Sequence, residues 1–179
     1  MDKPATTIKR VIICGKAASG KDYLRDEFRK QRWKINVSVT TRPKRLGEEN
    51  NAAYHFVTKE RFDELIRNNE LREHTCFNGW HYGTLMSHWE KSQVFIMTPS
   101  GISQLTKNDR AESLIVFLDI DSSDREKRLA LRNDADSIKR RLEADEKDFI
   151  DFHDYDIGVC DSSFSSEQLC DIAKTVIKS

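Results

Sequence analysis

The chain has 179 residues with 30 Lys+Arg against 30 Asp+Glu, so its formal net charge is zero and composition gives no general attraction to nucleic acid or acidic membranes. At 37% hydrophobic and 34% charged residues it is polar for a globular chain yet far from disorder, because its apolar residues arrive in concentrated runs that can build one core. No apolar stretch approaches the roughly 18 residues of a bilayer span, and the opening MDKPATTIKR has no apolar segment behind its charges, which argues against secretion.

In chain order, Val11-Ile12-Ile13-Cys14 reads as a first buried strand and residues 22–32 as a helix with Leu24 and Phe28 on one face. Ile35-Asn36-Val37-Ser38-Val39 reads as a second strand. The next fifty or so residues break the alternation. They contain the run Ala53-Tyr54-His55-Phe56-Val57, a helix over 59–69 carrying Phe62, Leu65 and Ile66, and short strands from Leu71 to Thr84 that turn at Asn78-Gly79. Val94-Phe95-Ile96-Met97 and Leu114-Ile115-Val116-Phe117-Leu118 resume the buried strands. Helices over 123–132 and 136–150 follow, then a last strand at Ile157-Gly158-Val159-Cys160, and a final helix over 165–178 capped by the Asp161–Ser166 stretch. Strand and helix alternate, so the class is α/β, and the β-branched runs fit a mainly parallel sheet with a small mixed-sheet insert.

The segment Gly15-Lys16-Ala17-Ala18-Ser19-Gly20-Lys21-Asp22 follows the first strand and opens the first helix. It matches the phosphate-loop pattern G-x-x-x-x-G-K, with aspartate in place of Ser or Thr. Two glycines let the backbone curl so that its N–H groups line a concavity for phosphate oxygens, the helix N-terminus adds positive potential, and Lys21 reaches the β/γ-phosphates. The chain has only seven glycines, so two at this spacing in a strand-to-helix turn carry weight. The whole segment is a candidate ATP-binding loop and Lys21 a candidate catalytic residue. Asp22 is the candidate metal ligand, since a carboxylate is as hard a donor for Mg²⁺ as a hydroxyl; it also brings negative charge close to the phosphates unless the ion is present.

Further on, Ser38-Val39-Thr40-Thr41-Arg42-Pro43-Lys44-Arg45-Leu46-Gly47-Glu48 is followed by Tyr54-His55-Phe56, Glu73 and Tyr82-Gly83-Thr84. Arginines offer bidentate forks to phosphate and hydroxyls complete such a cage. In order and near-family spacing these residues resemble the guanylate kinase family, and the resemblance runs from the phosphate loop to the last helix. It implies that Ser38, Arg42, Arg45 and Tyr54 hold the monophosphate of an acceptor nucleotide. By the same resemblance Glu73 and Thr84 read its base, Tyr82 and Gly83 lie beside that pocket, and Glu48 helps orient the site. The stretch Arg125 to Arg132, continuing to Lys139-Arg140-Arg141-Leu142, is similar to the family's lid. That similarity implies Arg128 at the donor and Arg132 and Arg141 as catalytic arginines over the transferring phosphoryl group.

The chain departs from the family at the strand after the insert. There a D-x-D pattern, aligned on Gly101, reads Ile96 and Thr98; the first lacks a carboxylate and the second keeps a hydroxyl that remains a candidate substrate contact. The family's Asn-Asp after the last strand is Cys160-Asp161. The resemblance implies a P-loop NTPase three-layer fold with a parallel five-stranded core, and ATP-dependent phosphorylation of GMP or dGMP with Mg²⁺. Residues 1–37, 93–124 and 146–179 form the expected core, 38–92 the acceptor-binding subdomain and 125–145 a short helical lid. Small-molecule nucleotides are the expected partners, with no nucleic acid and no membrane. Two other readings use the same residues: a kinase for another or modified (deoxy)nucleoside monophosphate, suggested by Ile96 and Thr98, and a non-catalytic guanylate-kinase-like interaction domain, against which Gly20, Lys21, Arg132 and Arg141 stand. Four cysteines without a C-x-x-C pair and five histidines without ligand spacing predict a cytoplasmic chain with reduced thiols and no structural metal.

Overall fold

A computed structural model of the chain describes residues 7–45, 47–48, 52, 54–131 and 138–177. In chain order its elements are β1 (Arg10–Gly15), α1 (Lys21–Lys30), β2 (Ser38–Thr40), β3 (Tyr54–Phe56), α2 (Lys59–Arg67), β4 (Leu71–Phe77), β5 (Trp80–Leu85) and α3 (Met86–Trp89). There follow β6 (Val94–Ile96), α4 (Pro99–Ile102), α5 (Lys107–Ala111), β7 (Ser113–Leu118), α6 (Ser122–Ala130), α7 (Ile138–Phe149), β8 (Ile157–Val159) and α8 (Ser166–Ile177).

The core sheet is parallel in the order β6-β1-β7-β8, with Val11 beside Val94 on one flank and Leu114 on the other. Successive side chains of a strand point to opposite faces, and β1 is buried on both. Val11 and Ile13 join Leu24 and Phe28 of α1 and Cys170 and Ala173 of α8. Ile12 and Cys14 join Trp89, Ile102 and Phe149 on the other side. This two-sided burial explains why the core strands read as continuous apolar runs rather than alternating ones. It also makes the molecule three layers deep.

The run expected as a second core strand divides between two sheets. Ile35 forms an isolated parallel bridge with Val94, and Asn36 N donates to Val94 O at 2.8 Å. From Ser38 the chain leaves to become β2 of the insert. Four core strands plus this bridge therefore stand where five strands were expected. The insert is a mixed sheet in the order β3-β2-β5-β4, with β3 parallel to β2 and the others antiparallel. Its own small core is Val39, Phe62 and Leu65. Asn78 and Gly79 stand at φ 53 and 81, the left-handed values a two-residue hairpin turn requires. The helices α3, α4 and α5 were not anticipated; at four or five residues each they are too short to carry a legible helical period.

A buried post joins the two sheets on the side away from the phosphate loop. The Arg10 guanidinium lies 4.2 Å from the Trp89 ring centroid, and Trp89 Nε1 donates to Asp109 Oδ1 at 3.1 Å. Arg72, the neighbour of Glu73 on β4, is ion-paired to the same Asp109. No helix among the described residues is long and apolar enough to cross a membrane.

Candidate active site

The ends of both sheets open on one cleft of about 720 Å³. The phosphate loop forms one wall. A Cβ on Gly15 would lie 2.6 Å from Ser19 Oγ and 2.9 Å from the Leu118 carbonyl, so glycine is what lets β1 end so close to β7. Gly20, at φ 104, hands the chain into α1 with no side-chain cap, and Gly20, Lys21 and Asp22 at this helix start all line the cleft. Lys21 Nζ is drawn into the curl, donating to Gly15 O at 2.6 Å and Lys16 O at 2.9 Å. Lys16 turns the other way, onto Asp119 at 3.1 Å.

Asp22 lines the cleft with its side chain 60% exposed, and its Oδ1 accepts from Arg25 Nη1 at 2.7 Å. Arg25 also spans to Asp26. The Asp22 carboxylate, expected as a metal ligand, thus has a countercharge of its own, three residues along one helix face. Sequence reading missed Arg25, although that i,i+3 spacing was visible. Among the described residues no cluster of three or more His, Cys, Asp or Glu could hold a metal ion alone. Asp22 offers the cleft one hard oxygen donor, and Mg²⁺ usually keeps waters and shares one or two carboxylates with substrate phosphates.

The opposite wall carries the residues expected to hold the acceptor phosphate. Ser38, Arg42, Arg45, Tyr54 and Tyr82 all line the cleft. Arg42 is 9% exposed, with its guanidinium 5.4 Å from the centroids of both Tyr54 and Phe56. Its Nη2 donates to Glu48 Oε1 at 2.8 Å, and Glu48 Oε2 accepts from Arg45 N at 2.7 Å. Burial pulls Arg42 down, but the hydrogen bond and charge of Glu48 outweigh it and hold the pKa above the ordinary value. Thr40 Oγ1 donates to His81 O and accepts from Arg42 N, while Thr41 Oγ1 accepts from His81 N. These two threonines tie the arginine turn to β5 and were missed as functional supports. Burial pushes the Tyr54 hydroxyl up to about 12, so it stays protonated and can donate.

Deeper in the cleft, Glu73 on β4 faces Thr84 on β5 in register. It is 5% exposed, and burial pushes it up to about 7 against the polar groups of Thr84 and the charge of Arg72. Gly101 of α4 abuts it: a Cβ there would sit 2.7 Å from Glu73 Oε2. Thr98, expected as a substrate contact, caps α4 by accepting from Gly101 N at 3.2 Å and also lines the cleft beside Ile96. Gly83 also lines the cleft.

Arg128 Nη1 donates to Ala18 O at 3.0 Å and Nη2 to Ser162 O at 2.7 Å. It thereby joins the phosphate loop to the segment after β8. Arg132 lies outside the described residues. The backbone of Arg141 is in α7 and its side chain lies outside the described residues.

The guanylate kinase family model matches residues 7–179. The chain belongs to the guanylate kinase family. A guanylate kinase from Chlorobium luteolum is 39% identical over 119 residues, covering 62% of this chain and 60% of that relative. One from Mycoplasma genitalium is 31% identical over 166 residues, covering 86% and 69%. A crystal structure of guanylate kinase from Anaplasma phagocytophilum superposes with a TM-score of 0.71 at 21% identity over 97% of this chain and 86% of that one. This likeness speaks to fold. The phosphate loop, the Arg42–Glu48 turn, Tyr54, Glu73 and Tyr82, spread over some seventy residues of a guanylate kinase family sequence, thus meet across one cleft.

Proposed function

We propose that this chain transfers the γ-phosphoryl group of ATP to GMP or dGMP. The observation that carries the reading is one cleft with a phosphate loop on one wall and, facing it, buried Arg42 beside half-buried Arg45, Tyr54 and Ser38, leading to the buried Glu73 carboxylate. The chain is a nucleoside monophosphate kinase of the phosphotransferase class. Phosphoryl transfer needs positioning and charge neutralisation rather than covalent chemistry from the protein.

In this reading the loop N–H groups and Lys21 hold the donor phosphates, with Lys21 moving from its loop carbonyls onto them. Arg42, Arg45, Tyr54 and Ser38 take the acceptor monophosphate, which displaces Glu48 from Arg42. Ionised Glu73 accepts from guanine N1–H and N2–H₂, which lie side by side, whereas adenine turns an acceptor toward it. Mg²⁺ would be held by Asp22 together with the nucleotide phosphates and would neutralise charge developing between donor and acceptor. Arg132 and Arg141 complete the charge neutralisation from the lid, residues 125–145, against a core of 1–37, 93–124 and 146–179 and an acceptor subdomain of 38–92. The four free thiols among the described residues suit a reducing compartment, and we place the chain in the cytoplasm.

A coupled ADP-release assay across ribo- and deoxyribonucleoside monophosphates tests this reading. GMP and dGMP are expected to exceed AMP in kcat/KM by about 10⁴-fold, as sites built on buried hydrogen bonds do. Equal use of AMP and GMP would refute the placement of the base pocket.

A further inference from the structure

Beneath the phosphate loop, α6 and α7 meet through two buried charges. Arg125 is 3% exposed and Asp145 1%. Arg125 Nη1 donates to Asp145 Oδ2 at 2.9 Å, and its Nε donates to Ile120 O at 3.0 Å. Both partners grip the same loop residue: Ala17 N donates to Asp145 Oδ2 at 2.9 Å, and Arg125 Nη1 reaches Ala17 O at 3.4 Å. The N–H and C=O of one peptide plane point opposite ways. Turning the Ala17 carbonyl onto Arg125 therefore turns the Ala18 N–H toward the cleft that Ala18 lines. The Ala17 N–H is held by Asp145, so the N–H groups that face an anion begin at Ala18. Ala18 itself stands at φ 59, a left-handed conformation that alanine keeps only where its surroundings over-determine it.

A buried ion pair is a weak device for stability, because desolvating two charges cancels much of their attraction and apolar residues of similar volume often serve the fold as well. Here the pair is spent on the backbone of the phosphate loop. We propose that Arg125 and Asp145 are positioning residues that preset the phosphate loop in its anion-binding conformation, acting through Ala17 without touching the nucleotide. The proposal rests on the phosphate-loop reading above and assigns a role to two residues that no motif singles out.

The test compares the native protein with Asp145→Ala and with the double variant Arg125→Met/Asp145→Val, measuring Mg–ATP and GMP affinity by calorimetry alongside thermal unfolding. Asp145→Ala leaves Arg125 buried without its countercharge and is expected to lower Tm sharply. The double variant is expected to regain most of that Tm yet bind Mg–ATP at least fivefold more weakly, with GMP affinity unchanged within twofold. A folded double variant whose Mg–ATP affinity falls less than fivefold, or which loses GMP equally, overturns the proposal. A native protein that binds no Mg–ATP overturns the phosphate-loop reading instead. Amide exchange in the nucleotide-free native protein decides independently of any variant: the Ala17 amide is expected to exchange at least a hundredfold more slowly than an unstructured amide. Faster exchange than that overturns the proposal.

Discussion

Replacing Gly101 by alanine should damage acceptor recognition while leaving the fold and the donor site intact. The added Cβ would lie 2.7 Å from Glu73 Oε2, where ordinary contact begins at 3.4 Å, so the carboxylate must retreat by about 0.7 Å or rotate. Glu73 is buried and opens only on the cleft, so any retreat carries the carboxylate into the space the guanine base is proposed to occupy. Rotation costs it the side-by-side geometry that guanine N1–H and N2–H₂ require. A hydrogen bond to a charged group is worth about 1.5–3 kcal/mol, so losing one of the two should raise KM for GMP roughly 10- to 100-fold. Alanine in a helix is favoured over glycine by about 1 kcal/mol, which offsets part of the crowding, so Tm should move by only a few degrees. The assay varies GMP at saturating Mg–ATP and then Mg–ATP at saturating GMP. A GMP KM within twofold of native in the folded variant, or an equal rise in the KM for ATP, would refute the reasoning that α4 sets the position of Glu73.

Lys21→Ala should abolish turnover, by about 10³-fold or more, with Tm nearly unchanged; retained turnover in the purified variant would remove the catalytic role of this lysine. Asp22→Ser should narrow the difference between ATP affinity with and without Mg²⁺ by roughly tenfold, the Arg25 pairing limiting the effect; an unchanged difference would mean that Asp22 does not meet the ion. Glu73 sits at about 7 in the folded chain against a reference of 4.5, so the native state binds the extra proton between those values and stability falls as pH rises from about 4.5 to 7. The difference is up to about 3 kcal/mol, with Asp145 and Asp148, also pushed up by burial, adding in the same direction. Glu73→Gln should flatten part of that slope in unfolding measurements. In the native enzyme kcat/KM for GMP should rise through pH 7 as Glu73 ionises, and a pH-independent value would show that the ionised form is not the one that reads the base.

The local parts of this protein were legible in its sequence because their chemistry is contiguous. Gly15 to Asp22 carries its own turn, helix start and cation in eight residues, a contiguous signal for an anion-binding loop. Asn78-Gly79 specifies its hairpin in the same way. The apolar runs of β1 and β7 announce a sheet covered on both faces, because a strand with no solvent side has no polar alternation to show.

Only the tertiary structure decided which distant residues meet. Nothing near Ile35 signals that its run splits between two sheets, since the split depends on Val94 arriving alongside. Glu73 stands in the sequence as one acid among thirty acidic residues; its raised pKa comes from the burial that the pairing of β4 with β5 and the close approach of α4 impose. In the sequence Arg125 stands in the stretch similar to the lid and Asp145 carries no signal, and they become a buried clamp on Ala17 because α6 and α7 converge under the loop at the carboxyl ends of β1 and β7. Charge and hydrogen-bonding capacity are properties of a residue, but desolvation and partnership are properties of a place.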